Sequence, residues 1–184
     1  ILIYVGFVLI NIEVLEIIID GIFGTHRIFQ EPLGGLYNTA LIFFEILALL
    51  VSVACIVFLF RRDVVKVNRL NMPEMKGWPK LDGRLILVIE LALMLALFVM
   101  NAADRPFQQS TSMPISSFIA PLFDGFSDTS LHILERGAWW VHIVGIFIFL
   151  NYVPFSKHLH IFLAFPNTYY AKQKPKGEFE NIES

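Results

Sequence analysis

Four long apolar runs constrain this chain of 184 residues more than any other feature. The first runs from Ile1 to about Phe23 and extends at most to Phe29. The second is Asn38 to Phe60, the third about Gly83 to Met100, and the fourth about Arg136 to Val153. A helix needs about 20 apolar residues to cross a bilayer, and each run is near that length. Inside a bilayer the backbone must satisfy its own polar groups, which favours helices. The reading is an all-α polytopic membrane bundle with about four transmembrane helices. The apolar share of 56% exceeds the roughly 45–50% usual for soluble domains, in keeping with this.

Charge and cysteine content exclude several classes. A net charge of -2 gives no basis for a nucleic-acid partner. Cys55 stands alone in an apolar run. A disulfide framework, a cysteine-rich zinc site and an iron–sulfur cluster held by this chain alone are therefore excluded. No CxxCH occurs, so a haem here would not be attached in the c-type manner. The sequence opens inside an apolar run and closes on a polar tail. The expectation is a membrane domain over residues 1–170, cut from a longer protein. Residues 171–184 would then link it to a cytoplasmic domain.

Basic residues suggest an orientation. Arg61, Arg62, Lys66, Arg69, Lys76, Lys80 and Arg84 lie between the second and third runs or at their ends. Lys157, Lys172, Lys174 and Lys176 follow the fourth. Only Arg27, Arg105 and Arg136 fall on the other side, a bias of eleven to three. By the positive-inside rule, both ends of the sequence are expected in the cytoplasm of a cell with this protein in its inner membrane. The stretch from Asp104 to Glu135, rich in Ser, Thr, Pro and Phe, would lie outside as a cap over the bundle.

Histidines carry the chemistry. His142 and His160 are 18 residues apart in HIVGIFIFLNYVPFSKHLH. If the fourth helix continues through Pro154, that spacing is about five turns and roughly 27 Å, with both rings on one face. The hydrocarbon core is ~30 Å thick, so one helix would offer an imidazole near each membrane surface. That arrangement suits two b-type haems, since neutral imidazole is a common axial ligand of haem iron. His26, at the outer end of the first run, is the candidate partner of His142; its bland reading is a helix-end residue. His160 would find its partner outside this sequence. His158 points away from the ligand face, and His132 lies about 80° from it.

The string WVHIVGIFIFLNYVPFSKHLHIF resembles a late helix of the respiratory nitrate reductase gamma subunit. It also resembles the cytochrome subunit of membrane heterodisulfide reductase. The resemblance rests on His142, Pro154, Phe155, Ser156, Lys157 and His160; elsewhere only helix number and hydropathy agree. The first run and the polar tail look closer to a subgroup in which the haem domain is fused to a cytoplasmic iron–sulfur protein. The resemblance implies one or two b haems, quinone or quinol as substrate, and electron exchange with iron–sulfur clusters in a fused domain or partner. It makes the chain a component of a quinone-linked oxidoreductase. Family members carry two ligand histidines in an early helix, whereas residues 1–23 here contain none. The ligand pairing therefore stays open.

Acidic residues inside the runs are the second unusual feature. A charge at mid-bilayer costs about 2.5–3.5 kcal/mol on insertion scales. Glu13, Glu16, Asp20, Glu45 and Glu90 nevertheless lie within them. Glu13, Glu16 and Asp20 share one helical stripe. Glu16, Asp20 and Glu45, all in the outer half, are candidates for a quinone and proton site. The alternative is a polar seam hydrogen-bonded to Asn11, Asn101 or Asn151. Arg27, Arg136 and Lys157, beside His26, His142 and His160, could balance haem propionates or simply anchor helix ends. Two other functions remain open at this point: a proton- or ion-conducting transporter subunit, and a structural membrane anchor.

Overall fold

The structure, a computed structural model, describes residues 14–25, 27–67, 77–104, 113–156 and 159–171. Helix α1 covers residues 14–23 of the described chain and ends at Gly24, whose φ of 66° only glycine adopts freely. A short helix α2 (Gln30–Leu33) leads into α3 (Gly35–Asp63). Helix α4 (Trp78–Ala103) follows, started by Gly77 and by Pro79 in its first turn, where the missing N–H has no cost. After residue 113 come a short α5 (Ser116–Ile119) and a 3-10 turn (Ala120–Phe123). Helix α6 (Asp128–Tyr152) is capped by Ser127, whose Oγ accepts the N–H of Ser130. A 3-10 turn (Val153–Phe155) and α7 (Leu159–Tyr169) close the described chain. Among the described residues there is no strand, and the fold is an all-α bundle.

Three helical stretches are long and apolar enough to cross a membrane: Gly35–Asp63, Trp78–Ala103 and Asp128–Phe155. Most of the first expected span lies outside the described residues. Each described span is longer than its apolar run. Polar turns such as DTSLHILE extend the helix beyond the point where hydropathy stops signalling it.

Helix α3 buries one stripe: Tyr37, Leu41, Phe44, Glu45, Ala48, Ser52, Cys55 and Arg62. The small residues at its middle let helices approach closely, as membrane packing requires. Leu50, Val53, Ile56, Val57 and Phe58 stand exposed on its other faces, an apolar surface suited to lipid. Helix α4 is the central strut, packed by α3 on one side and α6 on another. Leu97, Phe98 and Met100 of α4 form a core with Ala48 and Ala138. The segment after residue 113 does lie on the bundle, since Met113 is fully buried against Tyr37, Leu41 and Phe44.

At the opposite end, Tyr152 of α6 donates to Asp82 of α4, and Arg84 pairs with Asp63. The guanidinium of Arg62 rests on Gly83, where no side chain stands in its way.

One sequence expectation is overturned. The fourth helix does not continue to His160. Pro154 has no N–H to donate, and its ring crowds the preceding turn. The helix tightens to 3-10 form over Val153–Phe155 and stops at Ser156, which is extended at φ -108°, ψ 168°. The Ser156 N–H and Oγ both bond the Val153 carbonyl, at 3.0 Å each. His160 therefore belongs to α7, a separate helix. The 18-residue spacing no longer places it on the ligand face of His142.

Gly21 is where α1 meets the bundle. A Cβ there would lie 2.8 Å and 3.0 Å from two carbons of the Trp139 ring. Indole is rigid, so a branched side chain would push α1 outward. Gly21→Val is expected to cost about 1–3 kcal/mol, read as a lower unfolding temperature in detergent. Trp139→Ala in the same chain should recover part of the loss.

Candidate functional site

The ends of α1, α4 and α6 form a cleft. It is lined by Glu16, Ile17, Asp20, Thr25, Arg27, Met100, Asp104, Glu135, Arg136 and Trp139. Four carboxylates and two guanidiniums thus meet at one end of an apolar bundle. The reason is partly local. Glu16 and Asp20 are one helical turn apart on α1 and share a face. The chain then turns back at Gly24, bringing Arg27 over the same face.

Each carboxylate is supplied with donors. Asp20 accepts from Thr25 Oγ1 at 2.6 Å and from the Arg27 N–H at 2.7 Å. It also accepts from the Ile28 N–H at 3.3 Å. Those bonds hold Arg27 at a φ of 54°, a left-handed conformation unusual for a residue with a side chain. Glu16 accepts from the Phe29 N–H at 3.0 Å and from the Tyr37 hydroxyl at 2.8 Å, which ties α1 to α3. Arg27 reaches α4, donating from Nη2 to Asn101 Oδ1 at 3.1 Å, with Nε 3.5 Å from Asp104. Arg136 grips Glu135 with two bonds, Nε to Oε2 at 2.6 Å and Nη2 to Oε1 at 2.8 Å. Its guanidinium lies 5.8 Å from the Trp139 ring centre, within cation–π range.

Glu45 is not in this cleft. It is 1% exposed and caps α5. Its carboxylate accepts the N–H groups of Ile115 at 2.8 Å and Ser116 at 2.9 Å, and also the Ser116 hydroxyl. Glu45 thereby fastens the segment after residue 113 onto α3. Glu90 meets the thiol of Cys55 at 3.5 Å between α4 and α3.

His142 is 6% exposed in the interface of α6 with α4. Its Nδ1 lies 2.9 Å from the Leu93 carbonyl. A carbonyl only accepts, so Nδ1 carries the proton and Nε2 keeps its lone pair. Among the described residues this is the ring's one hydrogen bond. A ring held in this way is how proteins orient an Nε2 ligand to a metal. Gly145 lies against the Leu93 side chain one turn further on, keeping α6 close to α4. His160 is exposed on α7. His132 lies at the start of α6, its side chain 75% exposed. His26, Lys157 and Glu13 lie outside the described residues.

Of the residues expected at a site, the structure brings Glu16, Asp20, Arg27 and Arg136 together and keeps Glu45, His142 and His160 apart from them. Sequence reasoning missed Tyr37, Asp104 and Glu135. Glu135 did offer a signal, an acid directly beside a basic residue at the mouth of a span.

The Glu45 anchor can be tested. Charge-assisted hydrogen bonds contribute about 1.5–3 kcal/mol each. An amide would turn N–H donors toward N–H donors. Glu45→Gln is therefore expected to loosen residues 113–119, with faster amide exchange there than in α4. Ser116→Ala, which removes one bond and leaves the carboxylate, should do much less.

Comparison with known proteins finds no matching protein-family model and no matching solved structure. The chain is 28% identical over 183 residues to a probable iron-sulfur-binding oxidoreductase, FadF, of Bacillus subtilis (strain 168), covering 98% of this chain and 24% of that protein. It is 26% identical over 170 residues to the EtfAB:quinone oxidoreductase of Syntrophomonas wolfei, covering 85% of this chain and 23% of that protein. The chain thus spans about a quarter of the length of these curated relatives.

Proposed function

We propose that this chain is the membrane electron-transfer part of a longer oxidoreductase, joining a quinone pool to iron–sulfur centres through b-type haem. The observation that carries the reading is His142: a buried imidazole whose Nδ1–H is held by the Leu93 carbonyl, leaving Nε2 as a ligand. The ring chemistry fits a haem ligand. The names of the two relatives, one a probable iron-sulfur-binding oxidoreductase and one an EtfAB:quinone oxidoreductase, support the same reading.

In this reading His142 and His26 would hold one haem, and His160, on its separate helix, would serve a second. A haem bound at His142 would supply a one-electron relay within the bilayer. Leu93 fixes the tautomer and orientation of the ring, which is buried at 6% exposure. The cleft at the end of α1, α4 and α6 is the quinone side. Arg27 and Arg136 supply positive charge there, while Glu16 and Asp20 hold or move the protons of the quinone couple.

The test uses the full-length protein. His142→Ala is expected to lower haem content and remove one component of the b-type α band in the reduced-minus-oxidised spectrum. His142→Gln keeps a side-chain N–H toward Leu93 and should lose the same component while folding normally. Full haem content and unchanged midpoint potentials in both variants would refute the ligand assignment.

A second test concerns the cleft. Glu16→Gln and Asp20→Asn keep an acceptor oxygen but lose the titratable proton; because both oxygens of Asp20 accept N–H groups, rates are compared in protein whose unfolding temperature is unchanged. Each is expected to leave the haem spectrum intact and slow quinol-driven haem reduction about tenfold or more, within the range of a positioned acid–base group. Wild-type rates in both would leave these residues as a polar seam alone.

A further inference from the structure

The cleft carboxylates differ in their hydrogen-bond partners. Glu16 and Asp20 spend their oxygens on backbone N–H groups, Thr25 and Tyr37. Glu135 lines the same cleft and is only 6% exposed, yet one turn before it stands His132, whose side chain is 75% exposed. Nδ1 of His132 lies 3.9 Å from Oε2 of Glu135. That is too long for a hydrogen bond. The two are i and i+3 on one helix face, however, and rotation of an exposed ring can close such a gap. Each carboxylate oxygen offers about two lone-pair sites. Arg136 uses one on each oxygen of Glu135, which leaves acceptor capacity toward both the cleft and His132.

We propose that Glu135 and His132 are the proton path between this cleft and the surrounding water during quinone chemistry. The proposal deepens the quinone reading above and rests on it. When a quinol is oxidised, two O–H bonds break. Two electrons must pass to an acceptor, which in the proposed function would be haem and iron–sulfur centres, and two protons must reach water. Glu135 takes a proton on its carboxylate and passes it to Nδ1 of His132. The resulting imidazolium releases a proton to water. Quinone reduction runs the same steps backwards, with two protons taken up for two electrons. The charged groups facing Glu135 are Glu16 and Asp20 of α1, Arg27 of the following loop, Asp104 at the end of α4 and its neighbour Arg136. Arg136 bonds both oxygens of Glu135 and so keeps the carboxylate in place beside His132. The imidazole, a stronger base than a carboxylate, draws the proton outward.

The experiment uses full-length protein with its haem, reduced by 2-methyl-1,4-naphthoquinol in a stopped-flow spectrometer. His132 is exposed, so His132→Gln should fold normally and keep its haem. It is expected to slow haem reduction roughly tenfold, and millimolar imidazole in the buffer should restore the rate, since a diffusible base can replace an exposed one. Glu135→Gln should be slowed at least as much and remain slow with imidazole, because its step lies inside the cleft. Wild-type rates in His132→Gln, or a slowed rate that imidazole does not restore, would overturn the path and leave the quinone reading standing. Failure of the wild-type protein to accept electrons from the quinol would overturn both.

Discussion

A carboxylate moved out of water into an apolar bundle costs several kcal/mol unless donors surround it. This chain places several there, and the connections between its helices are shaped by meeting that demand. Asp20 draws the Thr25 hydroxyl and the N–H groups of Arg27 and Ile28 across the end of α1. Glu16 fixes where that loop enters α2 and α3 by taking the Phe29 N–H and the Tyr37 hydroxyl. Glu45 receives the first N–H groups of α5, which would otherwise lack partners at a helix start. Asp82 takes the Tyr152 hydroxyl at the far end and ties α6 to α4. The acids act as clamps on the backbone, each joining elements distant in sequence.

Between the clamps, the bundle depends on close approach. Without a hydrophobic drive in lipid, helices associate through packing and polar contacts. Gly21 admits the edge of Trp139, Gly145 admits Leu93, and Ala48, Ser52 and Cys55 give α3 a narrow buried stripe. Leu93 makes two of these contacts at once. Its side chain packs on Gly145 and its carbonyl holds His142. The spacing of α6 from α4 and the orientation of the imidazole are therefore set by one residue.

The cleft and the buried histidine stand on a common frame. Glu135 and His142 lie seven residues apart on α6, about two turns, and so share a helix face. Met100 and Trp139, which line the cleft, also belong to the core cluster between α3, α4 and α6 or pack against it. A polar cleft at one end and a buried histidine deeper in the same interface are thus held by one set of helix contacts.

Much of this was legible in one dimension. The apolar runs specify helices because a bilayer leaves the backbone no alternative. The acids at positions 16, 20 and 45 stand out because charge in such runs is costly. Their proximity on α1 follows from the 3.6-residue period alone. The His142–His160 pairing misled because periodicity assumes an unbroken helix, and Pro154 breaks it. The remainder needed three dimensions. Glu45 and Asp20 look alike in sequence and both accept loop N–H groups, but that Asp20 also lines a cleft while Glu45 is sealed under α5 depends on how the helices cross. Asp104 and Glu135 read as loop acids until the ends of α4 and α6 draw them to Arg27 and Arg136. Local periodicity determines which residues share a face of one helix; only the packing of helices against one another decides what each face meets.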